Sequence, residues 1–422
     1  MPSVTSWFLG QALRPGGTEL MRQALIVTSD GDTWDVSGRV LRWPTIKQTT
    51  GRFQATKLNV TLAAVQDASE DHPFLRFDFD TNSMMVAYEK GTRLKLSMGY
   101  VHPFSGPELV TMFDGRIEAM KWRRGTVGLR LRGADLRLED MQLGNVHSPM
   151  YVGSAVQSST WISPHSVAWI ACSSAGLDVT TDSTNEDINW DKWYTWRETF
   201  SDNAIHFQKH SCVAAFTGQK VGAVLNEIAR QTHSLIGVDI NGKVVVARRN
   251  AANTAGSPVF DSLKHLMDLE YNIGRDRGAQ HVTVMNNYNV GSVKWANAPY
   301  EVYNAHIGYT WGYRHERWES TKFWYQVQSA ARFNAYQLIG YSSTSMPADQ
   351  KQYFPSARVT MPFIGSYLEI TDSFRMVDSW AGVSSGTEWY ITSKGTSMET
   401  GKVVFDVEKR QEVRDPAAGG GK

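Results

Sequence analysis

Residues 113–133 read FDGRIEAMKWRRGTVGLRLRG. Ile117 and Ala119 alternate with polar neighbours as far as Trp122-Arg123-Arg124-Gly125, and Val127, Leu129 and Leu131 alternate on the way back. Successive side chains of a strand point to opposite faces, and a Gly ahead of the returning arm accepts the backbone conformation of a tight turn. The stretch predicts a β-hairpin with one buried face. The same period of two runs upstream through Leu58, Val60 and Leu62, then through Leu94, Leu96, Met98 and Tyr100. Residues 24–133 therefore read as short strands joined by turns, with a short helix near Ala134–Gln142.

Downstream the pattern changes. From Val146 to about Thr217, Ser, Thr, Asn and Asp dominate, with Trp161, Trp169, Trp190, Trp193 and Trp196 among them, which reads as an insertion with its own small core. Val221, Val224, Leu225, Ile228 and Ala229 fall on one stripe of a helix, with Thr217 placed as its N-cap. Ile236, Val238 and Ile240 lead into Asn241-Gly242, the strongest short hairpin signal, and Val244 and Val246 return. After the small-residue linker Ala251–Pro258, alternation resumes at Val282-Thr283-Val284 and in the aromatic stretch Tyr300–Tyr325. The chain closes with Trp389-Tyr390-Ile391, a turn expected through Lys394–Gly401, and Val403, Phe405 and Val407. Both β regions end on a long hairpin, Arg116–Arg132 and Glu388–Lys409, with Gly before the returning strand, although the residues are not repeated. Asp415–Lys422 read as a disordered tail.

At 422 residues the chain exceeds what one core usually supports, and 15 Trp, 16 Tyr and 17 Phe supply large groups to bury. Lys plus Arg total 43 against 42 Asp plus Glu, and no basic run stands out, so bulk charge offers nothing to a phosphate backbone. The start lacks a charged segment followed by an apolar one, and no run of about 18 apolar residues occurs. The expectation is a chain neither conventionally secreted nor membrane-spanning. Cys172 and Cys212 are too few for a disulfide framework and read as reduced, buried thiols.

Three groups of residues carry a resemblance. Phe113-Asp114-Gly115-Arg116-Ile117-Glu118 stands before a hairpin that Gly133-Ala134-Asp135 follows. The Gly222–Arg230 helix leads into Gly237-Val238-Asp239-Ile240-Asn241-Gly242-Lys243, and Gly386-Thr387-Glu388-Trp389-Tyr390-Ile391 opens the closing hairpin. In this order they resemble the trimeric tail-hub or baseplate-hub proteins of tailed bacteriophages. The resemblance implies a mainly β (α+β) chain in which two tube-like β-barrel domains, 1–145 and 259–410, flank a Trp-rich insertion, 146–217, and a helix–hairpin unit, 218–258, with 411–422 as the tail. It implies a structural, non-enzymatic subunit whose homotrimer forms a ring, joins a sixfold tail tube to threefold tip components and encloses the DNA exit channel. The implied partners are two further copies, the tail tube or distal-tail protein, tip or fibre proteins and the tape measure protein. DNA is only transient cargo, and the location is the tail tip of a virion assembled in the host cytoplasm. The alternatives are a tail-tube or distal-tail subunit, and a carbohydrate-binding or lytic tip component. Some related tip proteins carry an iron–sulfur cluster, but two distant cysteines cannot supply four thiolates, so none is assigned.

Other patterns suggest chemistry and are outweighed by context. Gly382-Val383-Ser384-Ser385-Gly386 matches the nucleophile elbow, yet Trp389-Tyr390-Ile391-Thr392 continues as a strand where an elbow needs a helix. His206 and His210 with Cys212 have helical ligand spacing but no fourth ligand nearby. Asp78-x-Asp80-x-Asn82 with Glu89 has calcium-loop spacing, but Ser83 stands where the turn needs Gly, and a strand through Leu75, Phe77 and Phe79 explains the same residues. The tryptophans with Asp187 and Asp191 suit a sugar platform, though core or subunit contact is the expectation. Glu70, Asp71, Glu316 and Glu319 pair as glycosidase carboxylates only if their separation is chosen freely. No catalytic, cofactor-binding or metal residue is assigned, and no cofactor is expected.

Overall fold

The computed structural model describes residues 5–12, 19–28, 31–51, 57–64, 92–123, 125–133, 135–143, 161–162, 171–172, 188–189, 207–208, 218–232, 234–238, 244–248, 257–265, 267–274, 281–290, 293–303, 316–320, 354–384 and 386–409. Helix α1 (Ser6–Ala12) precedes strands β1 (Met21–Val27), β2 (Thr33–Asp35), β3 (Val40–Arg42), β4 (Thr45–Thr49), β5 (Lys57–Ala63), β6 (Arg93–His102), β7 (Gly106–Arg123) and β8 (Thr126–Gly133). All but β4 form a seven-stranded sheet in the order β2-β1-β6-β7-β8-β5-β3. Laid flat, its edge strands β2 and β3 would lie about 29 Å apart, but the short chain between them spans at most about 18 Å. The sheet must therefore curl. The alternating residues of β5, β6 and β8 that the sequence singles out are all buried, and Gly125, at φ 80°, turns β7 into β8.

The middle of the chain holds α2 (Leu136–Asp140), β9 (Trp161–Ile162), β10 (Ile188–Asn189), β11 (Phe207–Gln208), α3 (Val221–Thr232), β12 (Ser234–Val238) and β13 (Val244–Arg248). Leu143 and Gly218 mark where the chain leaves and returns. The Gly218 N–H donates to the Leu143 carbonyl at 2.9 Å, and the Leu143 N–H to that of Gln219 at 2.9 Å. Within the span, β9 pairs with β11, β10 adds in parallel to β13, and Cys172 is a buried thiol. Trp169, Trp190, Trp193, Trp196, His206, His210, Cys212, Thr217, the Asp78–Glu89 pattern, Glu70, Asp71 and the tail lie outside the described residues.

Helix α3 buries Val221, Val224, Leu225 and Ala229, the stripe its 3.6-residue period predicts, and packs on β12, which pairs with β13. Leu225→Ala is expected to cost about 2–5 kcal/mol and to lower the melting temperature measured by circular dichroism. An unchanged melt would contradict this packing.

The last block contains β14 (Val259–Asp261), β15 (Asp268–Gly274), β16 (His281–Val290), β17 (Val293–Tyr303), β18 (Glu316–Ser320), β19 (Phe354–Met361), β20 (Ser373–Val377), β21 (Glu388–Ser397) and β22 (Val403–Lys409). Six of these make a second sheet in the order β14-β20-β21-β22-β19-β15, while β17-β16-β18 is a separate sheet. The second sheet also curls. Its edges β14 and β15 are joined by a link that the Met267 N–H closes on the Ser262 carbonyl at 3.0 Å. Tyr271 on β15 and Ser262 after β14 both donate hydroxyls to Asp378 beyond β20, at 3.0 and 3.3 Å.

The two sheets share one plan. Taken in chain order, β1, β3, β5, β6, β7 and β8 stand side by side as first, fourth, fifth, sixth, third, second; β14, β15 and β19 to β22 stand in the same order. In each, the fifth strand bulges against the sixth, between Ile117 and Ala119 and between Ile391 and Ser393. They differ at the first strand, antiparallel to the fourth in one sheet and parallel in the other. The fold is thus mainly β, with two curled half-barrels and few helices.

Two features depart from the sequence reading. The second hairpin turns at Met398–Lys402, because β21 continues through Lys394, Gly395 and Thr396, and Gly401, at φ 70°, makes the turn. The two sheets also do not keep separate cores. Ile26 and Leu94 of the first belong to one continuous buried cluster with Val359 and Phe405 of the second.

Candidate functional site

The site that the fold builds is the junction of the two sheets. Strand β4 leaves the first sheet and pairs antiparallel with β21, from Thr45 opposite Ser397 to Thr49 opposite Ser393. Thr45, Ile46 and Thr49 are β-branched and favour extended backbone, and Ile46 is buried in the shared core. Just before β4, the Pro44 carbonyl accepts the Met398 N–H at 3.1 Å and the Trp43 N–H donates to Glu399 Oε2 at 3.3 Å. Arg22 of β1 reaches the same turn, donating from Nε to the Met398 carbonyl at 2.6 Å and from Nη2 to that of Glu399 at 2.9 Å. A planar guanidinium fork suits two neighbouring carbonyls in this way. After β4, the Thr50 N–H donates to the Thr392 carbonyl at 2.8 Å, and the Gly51 N–H to that of Ile236 at 3.0 Å, which ties in the helix–hairpin unit.

Helix α1 closes the junction from the other side. Thr5 caps it, with Oγ1 accepting the Phe8 N–H at 3.2 Å, while the Thr5 N–H and hydroxyl donate to Glu108 of β7 at 2.7 and 2.6 Å. Phe8 is fully buried, its ring centroid 5.1 Å from Tyr100 of β6 and 5.7 Å from Phe363 beside the second sheet. Beside this triangle lies a cleft of about 380 Å³ bordered by Gln11, Leu20, Asp268 and Lys402.

One charged side chain of the junction is buried. Lys394 of β21 donates from Nζ to the Ser366 carbonyl at 2.6 Å. Burial pulls its pKa down to about 8, and the carboxylates of Glu369 and Asp372 oppose that shift. Burial also raises the Tyr100 and Tyr367 hydroxyls to about 12, so both stay neutral hydrogen-bonding groups at physiological pH.

No family model matches the chain, and no curated protein matches it in sequence. The tail protein from Neisseria meningitidis MC58 superposes with a TM-score of 0.50 at 11% identity, over 92% of this chain and 96% of that one. The fold is a tail-protein fold. The 43 kDa tail protein of prophage MuSo2 from Shewanella oneidensis aligns with a TM-score of 0.49 at 12% identity, over 92% of this chain and 98% of that one. Prophage tail protein gp18 from Listeria monocytogenes EGD-e aligns with a TM-score of 0.47 at 8% identity, covering 92% and 95% of the two chains.

Within this fold Gly382, Val383, Ser384 and Gly386 of the Gly-x-Ser-x-Gly pattern lie between two strands, β20 and β21. Asp378 and Val383 exchange backbone hydrogen bonds of 3.0 and 2.9 Å, and the chain runs on into β21 at Glu388. The nearby carboxylate of Glu388 is buried and accepts hydroxyls from Ser257 and Ser373, both at 2.7 Å, which pins β14, β20 and β21 together. Glu316 and Glu319 fall on β18. Among the described residues no three His, Cys, Asp or Glu side chains converge as metal ligands, and no helix is long and apolar enough to cross a membrane. The junction residues Arg22, Thr5, Glu108 and Lys394 were not foreseeable, since each is a single polar position with a distant partner and no local signal.

Proposed function

We propose that this chain is a structural, non-enzymatic hub subunit of a phage tail tip or baseplate. Three copies close a head-to-tail ring that joins the sixfold tail tube to threefold tip components and surrounds the DNA exit channel. The observation that carries this reading is the repeated six-strand plan on a tail-protein fold. One chain then offers two similar positions, and three chains offer six, so a threefold ring can meet a sixfold tube with matching contacts. A formal net charge of +1 lets copies approach without strong self-repulsion. On this reading 1–145 and 259–410 are the ring-forming domains, 146–217 and 218–258 lie between them, and the partners are the tube or distal-tail protein, tip or fibre proteins and the tape measure protein. Mass photometry of the purified protein is expected to show a species of three 47.3 kDa chains. A stable monomer that assembles only as sixfold rings would favour a tail-tube or distal-tail subunit instead.

A further inference from the structure

The repeated plan also points to the joint between neighbouring copies. In the second sheet the fifth strand, β21, has β22 along one side. Along its other side it pairs with β20 only at Glu388–Tyr390; beyond the bulge that side is taken by β4, at Ser393–Ser397. In the first sheet the fifth strand, β7, has β8 along one side and pairs with β6 only as far as Arg116. The Ile117 N–H then meets the Thr92 carbonyl at 3.0 Å, the counterpart of Ile391 N–H to Asp372 at 2.8 Å. Beyond the bulge, among the described residues, no strand lies beside Ala119–Lys121 on the side away from β8. This is the position that β4 fills in the second sheet.

The chain can turn away from β21 because Thr371 adopts φ 74°, which a β-branched residue rarely does. Gly91 occupies the corresponding place in the sequence before β6, and Gly is the residue type that takes such a conformation most readily. Strand β4 comes from the connection between the second and third strands of its sheet, and the same connection of the second sheet carries β16, β17 and β18.

Building on the ring reading, we propose that β18 of a second copy adds to β7 at Ala119–Lys121, as β4 adds to β21 within the chain. Strands β4 and β18 are each five residues long, and β18 is an edge of its sheet among the described residues. The charges agree, since Lys121 and Arg123 are exposed on one face of β7, and Glu316 and Glu319 alternate to the two faces of β18, so that either face sets one carboxylate against that basic pair. Strand addition supplies main-chain hydrogen bonds, and the side chains set the register. Every contact around the ring then follows one rule: the connection between second and third strands of one sheet extends the fifth strand of the next.

The test uses full-length protein with a photo-cross-linking amino acid at Lys121, in a mixture of isotopically light and heavy copies. Cross-links from light to heavy chains at residues 316–320 are expected. Cross-links to residues 65–91 of the same chain, or a trimer lacking the β18 cross-link, would overturn this joint and leave the ring reading standing; the absence of any trimer would overturn both. As a second arm, Lys121→Glu with Arg123→Glu should lower the trimer fraction at least tenfold, and Glu316→Lys with Glu319→Lys should restore it. A trimer indifferent to the first pair, or one that the second pair does not rescue, overturns the joint.

Discussion

Phe363→Ala is expected to destabilise the protein by about 3–5 kcal/mol, near the top of the range for a single core residue. Phe363 is only 2% exposed. Its ring meets Phe8 at 5.7 Å and Tyr100 at 6.0 Å, so one truncation removes the side that the second sheet contributes to a triangle of three chain segments. The surrounding strands are held by their own ladders and cannot collapse into the space, so cavity and transfer costs add. Urea unfolding followed by tryptophan fluorescence checks this, and the Phe8→Ala and double variants should show non-additive losses, as expected for rings in contact. A loss below about 1 kcal/mol, the size of an ordinary substitution, would mean that the two sheets do not depend on this contact.

A second large effect concerns Lys394 and pH. Its folded pKa of about 8 lies below the ordinary lysine value of 10.5, because burial disfavours the ammonium. Below pH 8 folded and unfolded chains both hold the proton, and the cost of burying the charge is fully present. Between about pH 8 and 10.5 the folded chain has released the proton while the unfolded chain keeps it, so stability rises with pH; above that window it levels off. Lys394→Met cannot titrate. The stability of the native protein minus that of this variant should therefore rise by about 3 kcal/mol across the window, the other titrating groups cancelling in the difference. A flat difference would show that the ammonium reaches solvent.

Much of the fold was legible wherever a strand or helix buries one face. Leu58, Val60 and Leu62, then Leu94, Leu96, Met98 and Tyr100, and Val221, Val224, Leu225 and Ala229 carry their period openly, and each is buried as that period requires. Alternation records that a face is buried, however, not against what. Ile46 looks like any other inward residue of the first β region, and nothing near it tells that β4 crosses to β21. The end of β21 was hidden for another reason. Lys394, Gly395 and Thr396 have turn-like composition, and the distant Ser366 carbonyl, with the Glu369 and Asp372 carboxylates, lets Lys394 lie inside a sheet. The duplication showed in the sequence only as two closing hairpins, Arg116–Arg132 and Glu388–Lys409, because strand order and bulge positions repeat while the residues do not.

The symmetry of the assembled tip is the most direct test of the central claim, that one chain supplies two ring positions. Electron cryomicroscopy of tail tips from virions containing this protein, averaged without imposed symmetry, should show three copies per tip with six similar lobes around the channel. Six copies in a sixfold ring, each contributing one lobe, would contradict it.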